Sequence, residues 1–154
     1  MVIFKSTEIS LTVAYPEEVI DRLLYFKQSN TQPESGGMLF CKNLFSDHIE
    51  ISDISTPCDQ DKRSRFFFKP NNRAYQRIID ANFQRGHHYI GDWHTHPEAK
   101  PSPSPKDISS IRSIFNSSKH DLKYIAMLII PSNNNFSDSY FSLFNSNKIL
   151  TFNP

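Results

Sequence analysis

The sequence predicts one compact α/β domain, on three observations. Apolar runs with β character alternate with amphipathic helical patterns, neither an internal repeat nor a long linker interrupts them, and 154 residues suffice for a single core. Residues 1–154 are therefore expected to form one domain. Seventeen Lys+Arg against sixteen Asp+Glu leave a formal charge of +1, without the electrostatic footprint of a general nucleic-acid binder. Cys41 and Cys58 form no Cys-x-x-Cys motif and no disulfide framework, which suits a reducing compartment and structural roles for both. Met1-Val2-Ile3-Phe4-Lys5 lacks the apolar run of a signal peptide, and no segment reaches the roughly eighteen apolar residues of a membrane span. The expectation is a cytoplasmic protein that engages neither membrane nor nucleic acid.

Taken in order, Glu8 to Ala14 reads as a strand. Pro16 then opens a helix whose Val19, Ile20, Leu23, Leu24 and Phe26 largely share one face, with Glu17 and Glu18 at its positive end. Polar Ser29 to Gln32 ends it. Gly36 to Phe40 and Ile49 to Ile54 read as strands joined at Asn43 to Asp47, and Arg65 to Lys69 as another, with Ser55 to Ser64 a polar loop between. Asn71 or Asn72 caps a second helix carrying Tyr75, Ile78, Ile79 and Phe83, which Gly86 stops at a left-handed position. His87 to Thr95 is a strand. Four prolines between Pro97 and Pro105 exclude regular structure and predict a rigid loop. Ser104 caps a third helix with Pro105 at its first position and Ile108, Ile111 and Phe115 on its apolar face. Leu122 to Ile130 is the most continuous apolar run and reads as a central strand. Asn133 to Asn135 mark a turn, and Tyr140 to Phe144 with Lys148 to Phe152 form a hairpin.

Chemistry concentrates in His94-Thr95-His96-Pro97, followed after seven intervening residues from His96 by Ser104 and after two more by Asp107. Side chains of a strand alternate between faces, so His94 and His96 point one way and can share a metal ion, while Thr95 points away. Two imidazoles and a carboxylate with a fourth position open to water make the coordination shell of a catalytic zinc. Each part has an ordinary explanation alone: Ser104 and Asp107 as a capping box, the histidines as strand residues. Helical spacing, however, turns Asp107 toward the body of the protein, where an unpaired carboxylate is costly. With 6 His, 20 Ser and 10 Asp in the chain, chance assembles the four-residue pattern in roughly 0.002 of shuffled sequences. The conjunction is specific.

Hydrolysis on a metal also needs a base that takes the water proton and returns it to the leaving amine. Glu34 is the candidate. It stands in Pro33-Glu34-Ser35-Gly36-Gly37, whose two glycines allow a sharp entry into the following strand and close passage of neighbouring chain. Three other candidates carry less. Trp93 alternates with the histidines and is expected in the core; Asp92 shares their face and reads as a strand-end charge or a partner of a ligand. His87 and His88 stand too near the strand's start to reach the same ion.

These residues together resemble the JAB/MPN (JAMM) zinc metallopeptidase family, which hydrolyses isopeptide or peptide bonds after ubiquitin and ubiquitin-like tails. The family pattern is a glutamate before a small-Gly-Gly strand start, then His-[Ser/Thr]-His-Pro, seven residues from the second histidine, Ser, two residues, Asp. Glu34, His94, His96, Ser104 and Asp107 fill every place. The resemblance implies a mixed curved β-sheet flanked by helices in three layers, related to that of cytidine deaminases, whose own His-x-Glu and Pro-Cys-x-x-Cys signature is absent. It implies one zinc per chain on His94, His96 and Asp107, Glu34 as general acid/base, and Ser104 as a donor to the oxyanion. Gly91 to Pro97 and Pro101 to Ser104 most resemble small standalone bacterial members, including the deconjugating peptidases of CBASS anti-phage operons. The implied partner is a protein substrate with a ubiquitin-like or nucleotide-synthase C-terminal tail. Ser55 to Phe68, with Arg63 and Arg65, is the expected tail surface, the alternative being a solvated strand flank. Two other functions fit the resemblance: a sulfur-carrier or other ubiquitin-like pathway, and a non-catalytic MPN scaffold. Scaffolds usually lose ligands from the motif, and this chain keeps them all.

Overall fold

A computed structural model describes every residue except Asn30 and Phe66, together with all side chains but those two and Phe67. Two short antiparallel strands open the fold, β1 (Val2–Ser6) and β2 (Thr12–Tyr15), followed by α1 (Glu17–Leu24), β3 (Gly36–Cys41) and β4 (His48–Ile54). A small hairpin of β5 (Lys62–Ser64) and β6 (Phe67–Lys69) leads into α2 (Asn72–Gln84) and β7 (His88–Thr95). The chain ends with α3 (Pro105–Ser117), β8 (Ile125–Ile130), a single 3-10 turn at Phe136–Asp138, β9 (Tyr140–Phe144) and β10 (Ile149–Asn153). No helix among the described residues is long and apolar enough to cross a membrane.

The mixed, curved sheet expected from the sequence carries its curvature to closure. Among the described residues, eight strands form a barrel in the order β1-β10-β9-β8-β7-β3-β4-β2. The β2–β4 and β7–β8 pairs are parallel, and the remaining six are antiparallel. Closure leaves the barrel itself no open edge to pair with another chain. Inward-facing Phe4, Val13, Leu39, Leu128 and Leu150 pack with Val19, Ile20 and Leu23 of α1. On the outer face, Tyr75 and Ile78 of α2 cover Met38 and Phe40, while α3 lays Ile108, Ile111 and Ile114 over Ile125, Met127 and Ile129. Layers of helix, sheet and helix result, with the cleft between α2 and α3 lying over the middle strands.

Several boundaries differ from the sequence reading, each for a local reason. The expected strand from Glu8 to Ala14 begins only at Thr12, because Ser6 Oγ accepts the Glu8 and Ile9 amides and reverses the chain there. That turn pairs β2 with β1, a strand the sequence reading did not assign although Val2 and Phe4 alternate with exposed Ile3 and Lys5. The polar loop expected through Ser64 ends in β5, whose Arg63 pairs with Phe68. Of the expected strand over 65–69, Phe66 lies outside the described residues, and Phe67–Lys69 forms β6. Asn30, within the expected helix end at 29–32, also lies outside them. Asn71 rather than Asn72 caps α2, accepting the Ala74 amide at 3.0 Å, and Gly86 follows at φ +81°. Phe83, which α2 carries with Tyr75, Ile78 and Ile79, is 61% exposed, its ring edge-on to His88.

One irregularity shapes the site. Leu39 pairs with Gly91 but Phe40 with Tyr89, so Ile90 is an extra residue in β7. Such a bulge inverts the alternation of faces beyond it. Tyr89 and Asp92, three apart, consequently share the outer face, where the Tyr89 hydroxyl donates to Asp92 Oδ1 at 3.1 Å.

Candidate metal centre

β7 runs through the proline-rich loop into α3 and returns as β8, parallel to β7. In such a crossover the helix begins near the carboxyl end of the first strand, where open α/β sheets place their ligands. The start of α3 is thereby delivered beside His94, near the end of β7, and His96, just beyond it. The loop is anchored at its start: the His96 amide donates to Ile130 O at 3.2 Å, and the Ser132 amide donates to Glu98 O at 2.9 Å. At the helix start Ser104 and Asp107 form the expected capping box, Ser104 Oγ accepting the Asp107 amide at 3.0 Å and Asp107 Oδ2 accepting the Ser104 amide at 2.9 Å.

The same Asp107 Oδ2 also faces the histidines. It lies 3.4 Å from His94 Nε2 and 3.3 Å from His96 Nε2, and the two nitrogens are 3.2 Å apart. Three lone-pair donors thus stand at the corners of a nearly equilateral triangle. Ligands about 2.0–2.1 Å from a tetrahedral zinc are separated by roughly 3.3 Å, the edge of that tetrahedron. The Nε2 atoms of His94 and His96 and the Asp107 Oδ2 therefore converge at the spacing that a single tetrahedral cation requires. These residues fit a zinc ion.

Glu34 reaches the same place from sixty residues upstream. Antiparallel pairing matches Gly36 with His94, so continuing the register sets Glu34 opposite His96. Its Oε1 stands 4.0 Å from His96 Nε2. Glu34, His94 and His96 together bring ligand atoms within 4.8 Å of one another, but Asp107 lies closer to both histidines, which makes Asp107 the better third ligand and sets Glu34 to one side. The glycines behave as the sequence suggested. A Cβ on Gly37 would lie 2.1 Å from Ser55 O, and one on Gly36 would lie 2.6 Å from the Phe68 ring.

Electrostatics separate the two carboxylates. Burial pushes Glu34 up to about 7, against the lowering pull of His96. Burial also acts upward on Asp107, but hydrogen bonds from His94 and His96, the charge of His94 and the Ser104 amide outweigh it and hold that carboxyl well below its ordinary range. For His96, burial favours the neutral ring, yet Asp107, Glu34 and Glu98 overcome it and raise the pKa. One carboxylate is therefore permanently ionised beside the histidines, while its neighbour is poised to exchange a proton near neutrality. Ser104 Oγ spends a lone pair on the cap and keeps its hydroxyl proton available to donate.

All five predicted residues line one cavity of about 660 Å³. Ile111, Ile114, Met127 and Phe68 supply its apolar walls, and Arg65, Lys69 and Lys106 stand among its lining. Asp92 lies on its floor, where burial pushes its carboxyl up to about 7. Trp93 is 1% exposed, its indole donating to Ser55 O at 3.0 Å. His87 pairs with Ser52 and His88 packs on Phe83, neither of them lining this cavity. Cys41 and Cys58 are free thiols; burial pushes Cys41 up to about 11 and raises Cys58, the opposite of a reactive cysteine.

The expectation for Arg63 widens. It is exposed and also holds the segment before β3: its Nε donates to Glu34 O at 2.8 Å and its Nη2 to Ser35 Oγ at 2.6 Å. Gln28, which no local pattern singled out, is 1% exposed and connects to Thr95 between the two histidines. Its role depends on contacts across 67 residues, which periodicity cannot show.

Comparison with known proteins agrees with this architecture. A protein of Vibrio cholerae named CD-NTase/cGAS isopeptidase is 37% identical over 98 residues, covering 61% of this chain and 62% of that protein. One of the same name from Escherichia coli is 36% identical over 102 residues, covering 64% and 65%. The chain thus spans slightly less than two thirds of the length of these relatives. A "Probable metalloprotease y4qB" of Sinorhizobium fredii is 30% identical over 106 residues, covering 66% and 65%. The solution structure of protein DSY2949 from Desulfitobacterium hafniense superposes with a TM-score of 0.63 over 89% of this chain and 87% of that one, at 16% identity, a likeness of fold. The family described as prokaryotic homologs of the JAB domain, Prok-JAB, matches residues 16–142, and the chain belongs to it.

Proposed function

We propose that this chain is a zinc-dependent isopeptidase that hydrolyses the amide bond after the C-terminal tail of a CD-NTase, releasing that enzyme from its targets in bacterial anti-phage defence. The triangle of His94, His96 and Asp107, with edges of 3.2 to 3.4 Å beside a carboxylate poised near neutrality, carries the chemistry. The names of the V. cholerae and E. coli relatives carry the substrate. Such an enzyme works where its substrate is made, in the cytoplasm.

His94, His96 and Asp107 would hold one zinc, which when bound would polarise the scissile carbonyl and lower the pKa of a water toward neutrality. Everything else falls to the chain. Glu34 accepts the proton of the attacking water and delivers it to the nitrogen of the leaving amine, so one group serves as base and then acid. The Ser104 hydroxyl donates to the oxygen that gains charge as the carbonyl becomes tetrahedral, a contribution of about 3 kcal/mol for such donors. Asp107 stays ionised throughout. The apolar cavity walls limit competing water and strengthen these interactions. Products are a free carboxylate on the tail and a free amine on the target.

The test uses a CD-NTase joined through its C-terminal carboxyl to the lysine of a fluorescent peptide. Purified protein should contain about one zinc per chain and release the peptide, and chelation should stop release. A folded, zinc-loaded protein that leaves this conjugate intact but cleaves a ubiquitin-like conjugate moves the substrate to a sibling pathway. One that binds no metal rejects the enzymatic reading.

A further inference from the structure

Glu34 precedes β3 in a stretch without regular secondary structure, yet its carboxylate is held 4.0 Å from His96. A base just outside a regular element needs its backbone fixed by contacts from elsewhere in the chain. Its own amide donates to Ser64 O at 2.6 Å, and its carbonyl accepts from Arg63 Nε at 2.8 Å. Arg63 is forked, its other arm reaching Ser35 Oγ. The Ser35 amide donates to Thr95 Oγ1 and its carbonyl accepts from the Thr95 amide, each at 3.0 Å. Every backbone polar group of residues 34 and 35 is thereby occupied.

Gln28 completes the set. Its Nε2 donates to Gln32 O at 3.0 Å and to Arg65 O at 2.7 Å, which fixes the amide's orientation. Its Oε1 is then left to accept from Thr95 Oγ1 at 3.3 Å. Because that hydroxyl spends its proton on Gln28, it faces Ser35 N–H as an acceptor. Gln28 thus takes the Thr95 hydroxyl proton and orients a lone pair toward the Ser35 amide, in the bond that ties the Glu34 segment to β7. A fully buried amide with these three bonds is expensive to disturb, since each partner left behind is a buried unsatisfied group.

We infer that Gln28 and Arg63 are positioning residues that set the distance of the Glu34 carboxylate from the histidines through the backbone of residues 34 and 35. The inference rests on the assignment of Glu34 as the base. Misplacing a reacting group by about 1 Å costs up to a hundredfold in rate, so Arg63→Met should lower kcat about ten- to a hundredfold on the CD-NTase–peptide conjugate. KM should change less than about threefold, and zinc content should stay at about one per chain, because neither residue touches His94, His96 or Asp107. Arg63→Lys keeps one donor instead of two and should recover part of the loss. Gln28→Glu is nearly isosteric but sets a carboxylate oxygen against Gln32 O and Arg65 O, and should behave as Arg63→Met does.

A double-mutant cycle separates positioning from general structural damage. If Arg63 acts through Glu34, adding Arg63→Met to Glu34→Gln should change the residual rate less than about twofold. Wild-type kcat in Arg63→Met, or an undiminished penalty in the Glu34→Gln background, overturns the inference. Full activity in Glu34→Gln alone overturns the assignment of the base instead, a distinct result. Should Arg63→Met fail to melt cooperatively, Arg63→Lys and Gln28→Glu carry the same cycle with the same criteria.

Discussion

The two halves of the site are built in different ways. The half proposed to bind metal, His94 to Asp107, is fourteen consecutive residues: a strand end, a proline loop and a helix start that the β7-α3-β8 crossover brings together. The Glu34 half is assembled at long range, by the pairing of β3 with β7 and by side chains from Gln28, Arg63 and Thr95. Local construction makes the first half robust and its ligands mutually dependent. Distant construction lets the second be altered without disturbing the first. Substitutions in the two halves should therefore fail differently.

His94→Ala should have the largest effect. It removes one corner of the triangle and should abolish zinc binding and cleavage together, a loss of more than about 10⁴-fold, because a ligand and the charge it helps hold disappear at once. Metal analysis beside the cleavage assay reads both. Glu34→Gln should fall next, about 10³- to 10⁴-fold in kcat, but with about one zinc per chain retained and the fold unchanged. Zinc lost with Glu34, or cleavage retained without it, would erase the distinction between the halves.

How much of this was legible follows the same division. The triangle's members were visible in sequence because period-two alternation and a capping box are local rules, and both hold in the structure. Glu34 was visible only through the motif, since nothing near it in sequence reveals that Gly36 pairs with His94. The bonds of Arg63 to Glu34 O and Ser35 Oγ were not legible because those partners lie 29 and 28 residues away. Gln28 gave no signal at all. Barrel closure was equally hidden: it depends on β1 meeting both β2 and β10 from opposite ends of the chain. The bulge at Ile90 also escaped, because one extra residue in a strand leaves composition and apolar pattern almost unchanged.

Ser104→Ala sits on the boundary of the two halves and tests whether capping and catalysis coexist. Loss of the cap should cost about 1 kcal/mol of stability, while loss of the hydroxyl donor should lower kcat about 10²- to 10³-fold. Ser104→Asp retains a cap acceptor but brings a negative charge to where the oxyanion forms. It should recover the melting temperature and none of the activity. Recovery of both would reduce Ser104 to a helix cap.

The smallest effect is in the metal-free protein, and its direction follows from Glu34. That carboxyl lies at about 7 in the folded chain against 4.5 for an unperturbed glutamate. Between those values the folded state keeps a proton that the unfolded state has released, so stability falls as pH rises through the window, by at most about 3 kcal/mol. Asp92, moved from 3.8 to about 7, acts in the same direction over an overlapping range. Asp107 acts oppositely, but its lowered pKa confines its contribution to pH below the ordinary carboxylate range, where stability is lost as pH falls. His96, raised above 6.5, adds a loss only toward the upper end. Thermal melts of chelated protein from about pH 4.5 to 7 should therefore show a declining melting temperature. Glu34→Gln should remove its share of that slope, leaving the part due to Asp92. An unchanged slope would mean that Glu34 is already ionised in the folded apoprotein, and the half of the site assembled at long range would then owe its proton chemistry to the bound metal rather than to burial.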